Sequence, residues 1–268
     1  MGLEFHQEKP RYFKMQHDNA TAYVLPFIHE ITPLKPGMNV LEIGCAEGGV
    51  LSAFLAAGCQ GTGVELSPTR AANAKQFLAE YLETGQARIE SKNIYDAQIP
   101  ADFPEPFDVI VLKDVIEHIH DQERLLRRMQ DFLKPGGHIF FGFPPWQMPY
   151  GGHQQIGKGK LAKLPYYHLL PRPVYRGVLK LFQQSEGTIN ELMEIQETRI
   201  SLERFERILR TTGYATVRKQ LYLVNPIYKY KFGLKPRKQN KVVGAIPWLR
   251  NFVTTCGFYL VTPSQSPT

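Results

Sequence analysis

Cysteine is scarce: the 268 residues hold only Cys45, Cys59 and Cys256. Their number is odd and their spacing matches no metal motif, which excludes a disulfide framework or a zinc ribbon as the organising device. A reducing compartment, the cytoplasm, is the expectation. Neither a leader nor a membrane span is expected. The N-terminal MGLEFHQEKPRYF has no apolar h-region. The apolar stretch from Val242 to Val261 is interrupted by Pro247, Arg250 and Asn251, which makes it a poor transmembrane helix. Acid is absent over two long stretches. No Asp or Glu occurs from Phe132 to Ser185, and none follows Glu206, while lysine and arginine continue through both. The net charge of +7 is therefore unevenly placed. Such segments favour an anionic partner (phosphate, RNA or lipid head groups) or form a solvated basic face. There is no internal repeat, and the length and composition fit one large α/β domain with embellishments.

The most informative stretch is Asn39–Gly49, NVLEIGCAEGG. Val40, Leu41 and Ile43 read as a short buried strand. Gly44-Cys45-Ala46-Glu47-Gly48-Gly49 then forms a loop, and Val50, Leu51, Phe54 and Leu55 open a helix. Strand, glycine loop and helix begin a nucleotide-binding α/β domain. Glu42 stands two residues before the first glycine. A carboxylate there suits an ammonium or sulfonium better than a pyrophosphate. Glu65 closes a second strand, Gly61–Glu65, where it can accept two ribose hydroxyls. That device also serves NAD, so Glu65 alone leaves the cofactor open.

Further strands read at Ala87–Glu90, Phe107–Leu112 and His138–Phe143, the last after the turn Leu133-Lys134-Pro135-Gly136-Gly137. Together these features resemble the class I S-adenosylmethionine-dependent methyltransferases. Glu42-x-Gly44-x-Ala46-x-Gly48 follows their E/D-x-G-x-G-x-G motif with alanine as the middle residue, and FDVI and LKPGG occur in the family's order. The resemblance is specific from Asn39 to Pro144. It implies a Rossmann-like, seven-stranded α/β sheet with helices on both faces and, here, a cap inserted after strand five. It implies S-adenosylmethionine as cofactor, held by Glu42, Gly44, Cys45, Ala46, Gly48, Glu65, Leu66, Asn93, Ile94 and Lys113. Asp96 competes with Asn93 for the adenine position. Tyr12, Phe13 and Gln16 lie on an N-terminal helical stretch, Tyr12–Ile31, kinked at Pro26. Packing against the sheet is their expected role, with a cover over the cofactor as the alternative.

Val115 to Met129 has helical periodicity, which would place Asp114, Glu117 and His118 on one helical face. Two carboxylates and an imidazole can hold a divalent cation. D-x-x-E-H resembles the E-x-x-E-H of metal-dependent O-methyltransferases of ubiquinone biosynthesis and of small-RNA 3′ ends, with a shorter first carboxylate. Methyltransferases without a metal also carry Glu-His here. His153, on the loop leaving strand five, is the candidate fourth ligand or general base, and His118 and His153 are the catalytic candidates. His120, His138 and His168 lack a comparable setting.

Three regions follow: a cofactor-binding core over 1–145, a cap over 146–200 rich in aromatics (Trp146, Tyr150, Tyr166, Tyr167, Tyr175), and the rest of the core sheet over 201–268 with a basic insertion from Asn225 to Asn251. The expected reaction is methyl transfer to an oxygen of a small or lipid-like hydroxylated molecule, with or without a metal. RNA methylation and cofactor binding without catalysis are the alternatives. An anionic membrane surface or RNA is the expected macromolecular partner.

Overall fold

A computed structural model describes residues 8–264, so the first seven residues of the N-terminal stretch lie outside the described part. Eight strands form one sheet: β1 (Asn39–Ile43), β2 (Gln60–Glu65), β3 (Ala87–Ser91), β4 (Phe107–Lys113), β5 (Leu133–Phe143), β6 (Tyr214–Val224), β7 (Arg237–Lys238) and β8 (Cys256–Pro263). Their order is β3-β2-β1-β4-β5-β8-β6-β7. The first five are parallel, and β8 enters antiparallel between β5 and β6. Reversal at β1, with β2 on one side and β4 on the other, opens a crevice beyond the strands' carboxyl ends. The seven expected strands are all present. The eighth, β7, is a two-residue pairing on β6 within the basic insertion, too short to leave a periodic signal.

Alternation in the strands sorts the core into two layers. Ile110, Leu112, Ile139 and Phe141 face one side with Leu125, Met129, Phe205 and Ile208. Val109, Val111, Phe140 and Phe258 face the other with Phe27, Val50 and Phe54. The helices that cover these faces are α1 (Lys9–Asn19), α2 (Leu25–His29), α3 (Gly49–Ala56), α4 (Pro68–Phe77), α5 (Ala79–Glu83), α6 (Gln122–Gln130), α7 (Arg172–Leu181), α8 (Glu186–Thr198) and α9 (Leu202–Thr211). Side-chain caps fix several starts. Ser67 Oγ accepts from Arg70 N, Asp121 Oδ1 from Arg124 N at 2.9 Å, and Ser201 Oγ from Arg204 N at 3.0 Å. Each such cap is worth about 1 kcal/mol. The Pro26 kink takes the form of a π turn, Ala20–Val24, between α1 and α2. Proline lacks the N–H that a regular helix would use there, and the wider turn absorbs the loss.

Between β5 and α9, three 3-10 turns with α7 and α8 enclose a separate apolar cluster, including Tyr167, Tyr175, Leu179 and Leu192. The insertion between β6 and β8 carries α10 (Tyr228–Phe232), β7, α11 (Lys241–Ala245) and α12 (Leu249–Val253). No helix among the described residues is long and apolar enough to cross a membrane.

Candidate active site

The loop after β1 carries three residues in the left-handed region: Gly44 (φ +70), Ala46 (φ +52) and Gly48 (φ +83). Space explains two of them. A Cβ on Gly44 would meet Val115 at 2.6 Å, and one on Gly48 would meet Leu78 at 2.8 Å. Ala46 accepts the strained conformation, and its N–H donates to Glu65 Oε2 at 2.9 Å. Glu65 Oε1 accepts from Ser67 N at 2.9 Å. The carboxylate at the end of β2 is thus fixed by two backbone N–H groups and retains lone pairs for hydroxyl donors.

Beside this loop lies a cavity. Glu42, Gly44, Cys45, Ala46, Lys113 and Asp114 line it, as do Arg70 and Glu47. Tyr12, Phe13 and Gln16 form its cover, so α1 closes the crevice. This lining favours the alternative role, a cover over the cavity, while Phe13 also packs against the cluster that holds Leu51, Leu55 and Ile89. The physical reason is close approach at Gly49, where a Cβ would lie 2.6 Å from the Phe13 carbonyl oxygen. A bifurcated ion pair locks the cover: Lys9 of α1 at 2.7 Å and Arg70 of α4 at 3.3 Å both reach the buried Glu47. Sequence reasoning missed Glu47, Lys9 and Arg70, since no motif links charges on three elements.

Glu42 is the unusual group in this cavity. It is buried, and its Oε2 has no hydrogen-bond partner. Burial raises its pKa from 4.5 to about 8. A carboxylate held unpaired against a cavity suits a cationic ligand. The glycine cradle, the positioned Glu65 and the unpaired Glu42 fit a nucleoside carrying a positive amino-acid tail.

Beyond Lys113 the structure corrects the expected helix. Asp114 takes φ +56, and a 3-10 turn spans Ile116–His118. The chain is extended at Ile119, and α6 starts only after the Asp121 cap. Asp114, Glu117 and His118 therefore do not share a helical face. Asp114 turns its carboxylate to the buried Lys113 ammonium. Burial works against the charge on each of this pair, and mutual attraction prevails, raising the lysine and lowering the aspartate.

The geometry instead gathers Glu117, His118 and His153, whose ligand atoms all lie within 4.8 Å of one another. Asp114 is not among them, because its side chain is engaged by Lys113. The two imidazole centroids are 5.0 Å apart. Both carboxylate oxygens of Glu117 are buried without a partner. Burial, and then the Asp114 charge, push the Glu117 carboxyl well upward. Burial lowers His118, and burial with the neighbouring His118 brings His153 to about 3. Both shifts favour the neutral imidazole, which offers a ring-nitrogen lone pair. Hard and borderline donors around an unsatisfied carboxylate fit a divalent cation. His153 reaches this place from a left-handed residue, φ +54, at the end of the Gly151-Gly152 turn.

The other sequence candidates stand apart from the cavity lining. Leu66 is largely exposed. Asn93 Oδ1 accepts from Tyr95 N at 3.1 Å and caps the turn Ile94–Asp96, in which Ile94 is buried. Lys231 was not anticipated. On α10, it places its ammonium 5.8 Å from the Tyr12 ring centroid, and burial lowers its pKa to about 8. The sequence gives no sign that the basic insertion folds back onto α1.

Residues 15–219 match the family described as a methyltransferase domain, and the chain belongs to that family. It is a class I S-adenosylmethionine-dependent methyltransferase. Among curated relatives, ubiquinone biosynthesis O-methyltransferases from Leptothrix cholodnii and Stutzerimonas stutzeri are 32% and 34% identical over 125 residues, 42% of this chain and 52% of each relative. The matched stretch thus spans about half the relatives' length. Among solved structures, a sarcosine dimethylglycine methyltransferase described as putative, from Galdieria sulphuraria, superposes with a TM-score of 0.58 at 12% identity, over 91% of this chain and 85% of that one. An S-adenosylmethionine-dependent methyltransferase from Clostridium acetobutylicum gives 0.56 at 14% identity, over 93% and 92%. These two share the fold.

Proposed function

We propose that the chain methylates an oxygen of a small or lipid-like hydroxylated acceptor, with a divalent cation held by Glu117, His118 and His153. The observation that carries this reading is the buried Glu117 carboxylate, unpartnered and facing two neutral imidazoles. The O-methyltransferase names of the curated relatives support the choice of oxygen. S-adenosylmethionine supplies a methyl group on a sulfonium, which leaves as a neutral thioether while the acceptor oxygen gives up its proton. Glu42 receives the donor's positive charge, and Glu65 accepts its ribose hydroxyls. Tyr12, Phe13 and Gln16 keep water from the donor. Positioning of this kind can be worth on the order of 7–11 kcal/mol. When bound, the cation supplies Lewis acidity that lowers the pKa of an acceptor hydroxyl. As neutral imidazoles, His153 and His118 would bind the cation at a ring nitrogen; a group brought to about 3 holds a proton poorly, so uptake of the hydroxyl proton would fall to His118.

The three buried, unpaired thiols support a reducing, cytoplasmic setting. The two acid-free segments support an anionic partner, a head-group layer or RNA. Elemental analysis and turnover with a radiolabelled donor test the main reading. His118→Ala and His153→Ala should each lose metal and turnover on hydroxylated aromatics while keeping affinity for S-adenosylhomocysteine. Full turnover in strong chelator by metal-free protein would reject the cation. Turnover on RNA alone would replace the acceptor class.

A further inference from the structure

Between α11 and α12 the chain spends stability on display. Trp248 holds φ +66, a conformation that bulky side chains rarely adopt. Its surroundings enforce it. Glu203 accepts from Trp248 N at 3.0 Å, from Arg250 Nε at 2.7 Å and from Asn251 Nδ2. Arg250 also reaches Glu206 at 2.8 Å, and Asn251 Oδ1 accepts from Leu202 N at 2.8 Å. This clamp ties the segment to α9, yet the indole it positions is 63% exposed. Val242 is 72% exposed, and Ile246, Leu249 and Phe252 are exposed as well. Lys235, Arg237, Lys238 and Lys241 lead into this apolar group, and no acid follows Glu206.

We propose that residues 235–252 dock this protein on an anionic lipid bilayer, with Trp248, Val242 and Leu249 entering the head-group boundary and the lysines and arginine facing lipid phosphates. The proposal rests on the anionic-partner reading above and is independent of the acceptor's identity. Charge complementarity and side-chain type select the occupant. Exposed apolar side chains with a rigidly held tryptophan and a basic border fit an interfacial layer. Trp248 and Phe252 could stack on bases, but the branched aliphatic Val242, Ile246 and Leu249 exposed beside them could not, and such a mixed apolar group favours a bilayer over RNA. The dock is also joined to the acceptor side. Tyr166 donates its hydroxyl to the Phe252 carbonyl at 3.2 Å, on the same segment after β5 that carries His153. A bilayer there would lie beside the cap and give a lipid-like acceptor a short path.

The test is sedimentation of the full chain with phosphatidylcholine vesicles, with and without phosphatidylglycerol, at low and raised salt. Tryptophan emission and S-adenosylhomocysteine calorimetry are read on the same samples. Association should require the anionic lipid, weaken steeply with salt and shift emission to the blue. Trp248→Gly, which suits the positive φ, should abolish the shift while Trp146 remains, and weaken association tenfold or more. Lys238→Gln with Lys241→Gln should weaken it about fivefold per site, as expected for removing one surface charge. All three changes should leave S-adenosylhomocysteine affinity intact. No association with anionic vesicles at low salt, association indifferent to Trp248→Gly, or salt-sensitive RNA binding without vesicle binding would each overturn the dock. Loss of S-adenosylhomocysteine binding by the parent chain would overturn the donor site instead, whatever the vesicles show.

Discussion

Replacing Glu42 by glutamine should make the empty protein more stable and a poorer binder of its donor. The carboxyl is buried beside β1, one oxygen lacks a partner, and burial lifts its pKa to about 8. In the unfolded chain it ionises near 4.5. The folded protein therefore holds a proton that the unfolded chain has released between those values. Stability falls as pH rises from about 4.5 to about 8 and levels off above. The full cost of ionising the buried group is on the order of 5 kcal/mol at high pH. Glutamine keeps the shape and does not ionise, so the variant should gain several kcal/mol over the parent at pH 8.5 and little at pH 4.5. For a chain of this size each kcal/mol moves Tm by roughly 2–4 °C. Thermal scans of both proteins across this range measure the gap. A cationic donor needs the carboxylate, so binding below pH 8 should release a proton. Parent calorimetry with S-adenosylmethionine at pH 6.5 should therefore depend on the buffer's ionisation enthalpy, and the variant's should not. A parent and variant with parallel Tm profiles, or equal donor affinity, would refute the reasoning.

Glu65→Ala removes the acceptor for two ribose hydroxyls and for Ala46 N and Ser67 N; calorimetric affinity for S-adenosylhomocysteine should drop roughly 30-fold or more, by about 2 kcal/mol or above. Gly49→Ala puts a methyl 2.6 Å from the Phe13 carbonyl oxygen, which cannot swing aside. Chemical denaturation should show a loss of about 1–3 kcal/mol, and donor binding should weaken because α1 shifts off the cavity. Glu47→Gln breaks the tie from α1 to α4, so hydrogen exchange in α1 should quicken while the sheet's protection is unchanged.

Strands and their order of appearance were legible because their signal is local. Val109, Ile110, Val111 and Leu112 are apolar in succession, as a strand covered on both faces must be. The loop after β1 was legible for the same reason: Gly44 and Gly48 are the residues that a left-handed turn under tight neighbours demands. The helix expected from Val115 starts only at Gln122. Its apolar spacing is real, but Asp121 offers a better start and the positive φ at Asp114 ends regularity at β4. Local periodicity does not weigh a cap against a strained residue.

The sequence by itself determined the doubly wound sheet, the glycine cradle and Glu42 and Glu65 at the strand ends, because backbone preference and burial act over a few neighbouring residues. Tertiary structure alone decided which side chains meet. His153 joins Glu117 and His118 across 34 residues or more of intervening chain, and Asp114 leaves that group for Lys113. Lys231 arrives beside Tyr12 from the far end of the chain, and Glu203 clamps the turn that exposes Trp248. Such encounters depend on long-range packing of the whole sheet, and pairwise charge has no periodicity along the sequence through which it could be foreseen.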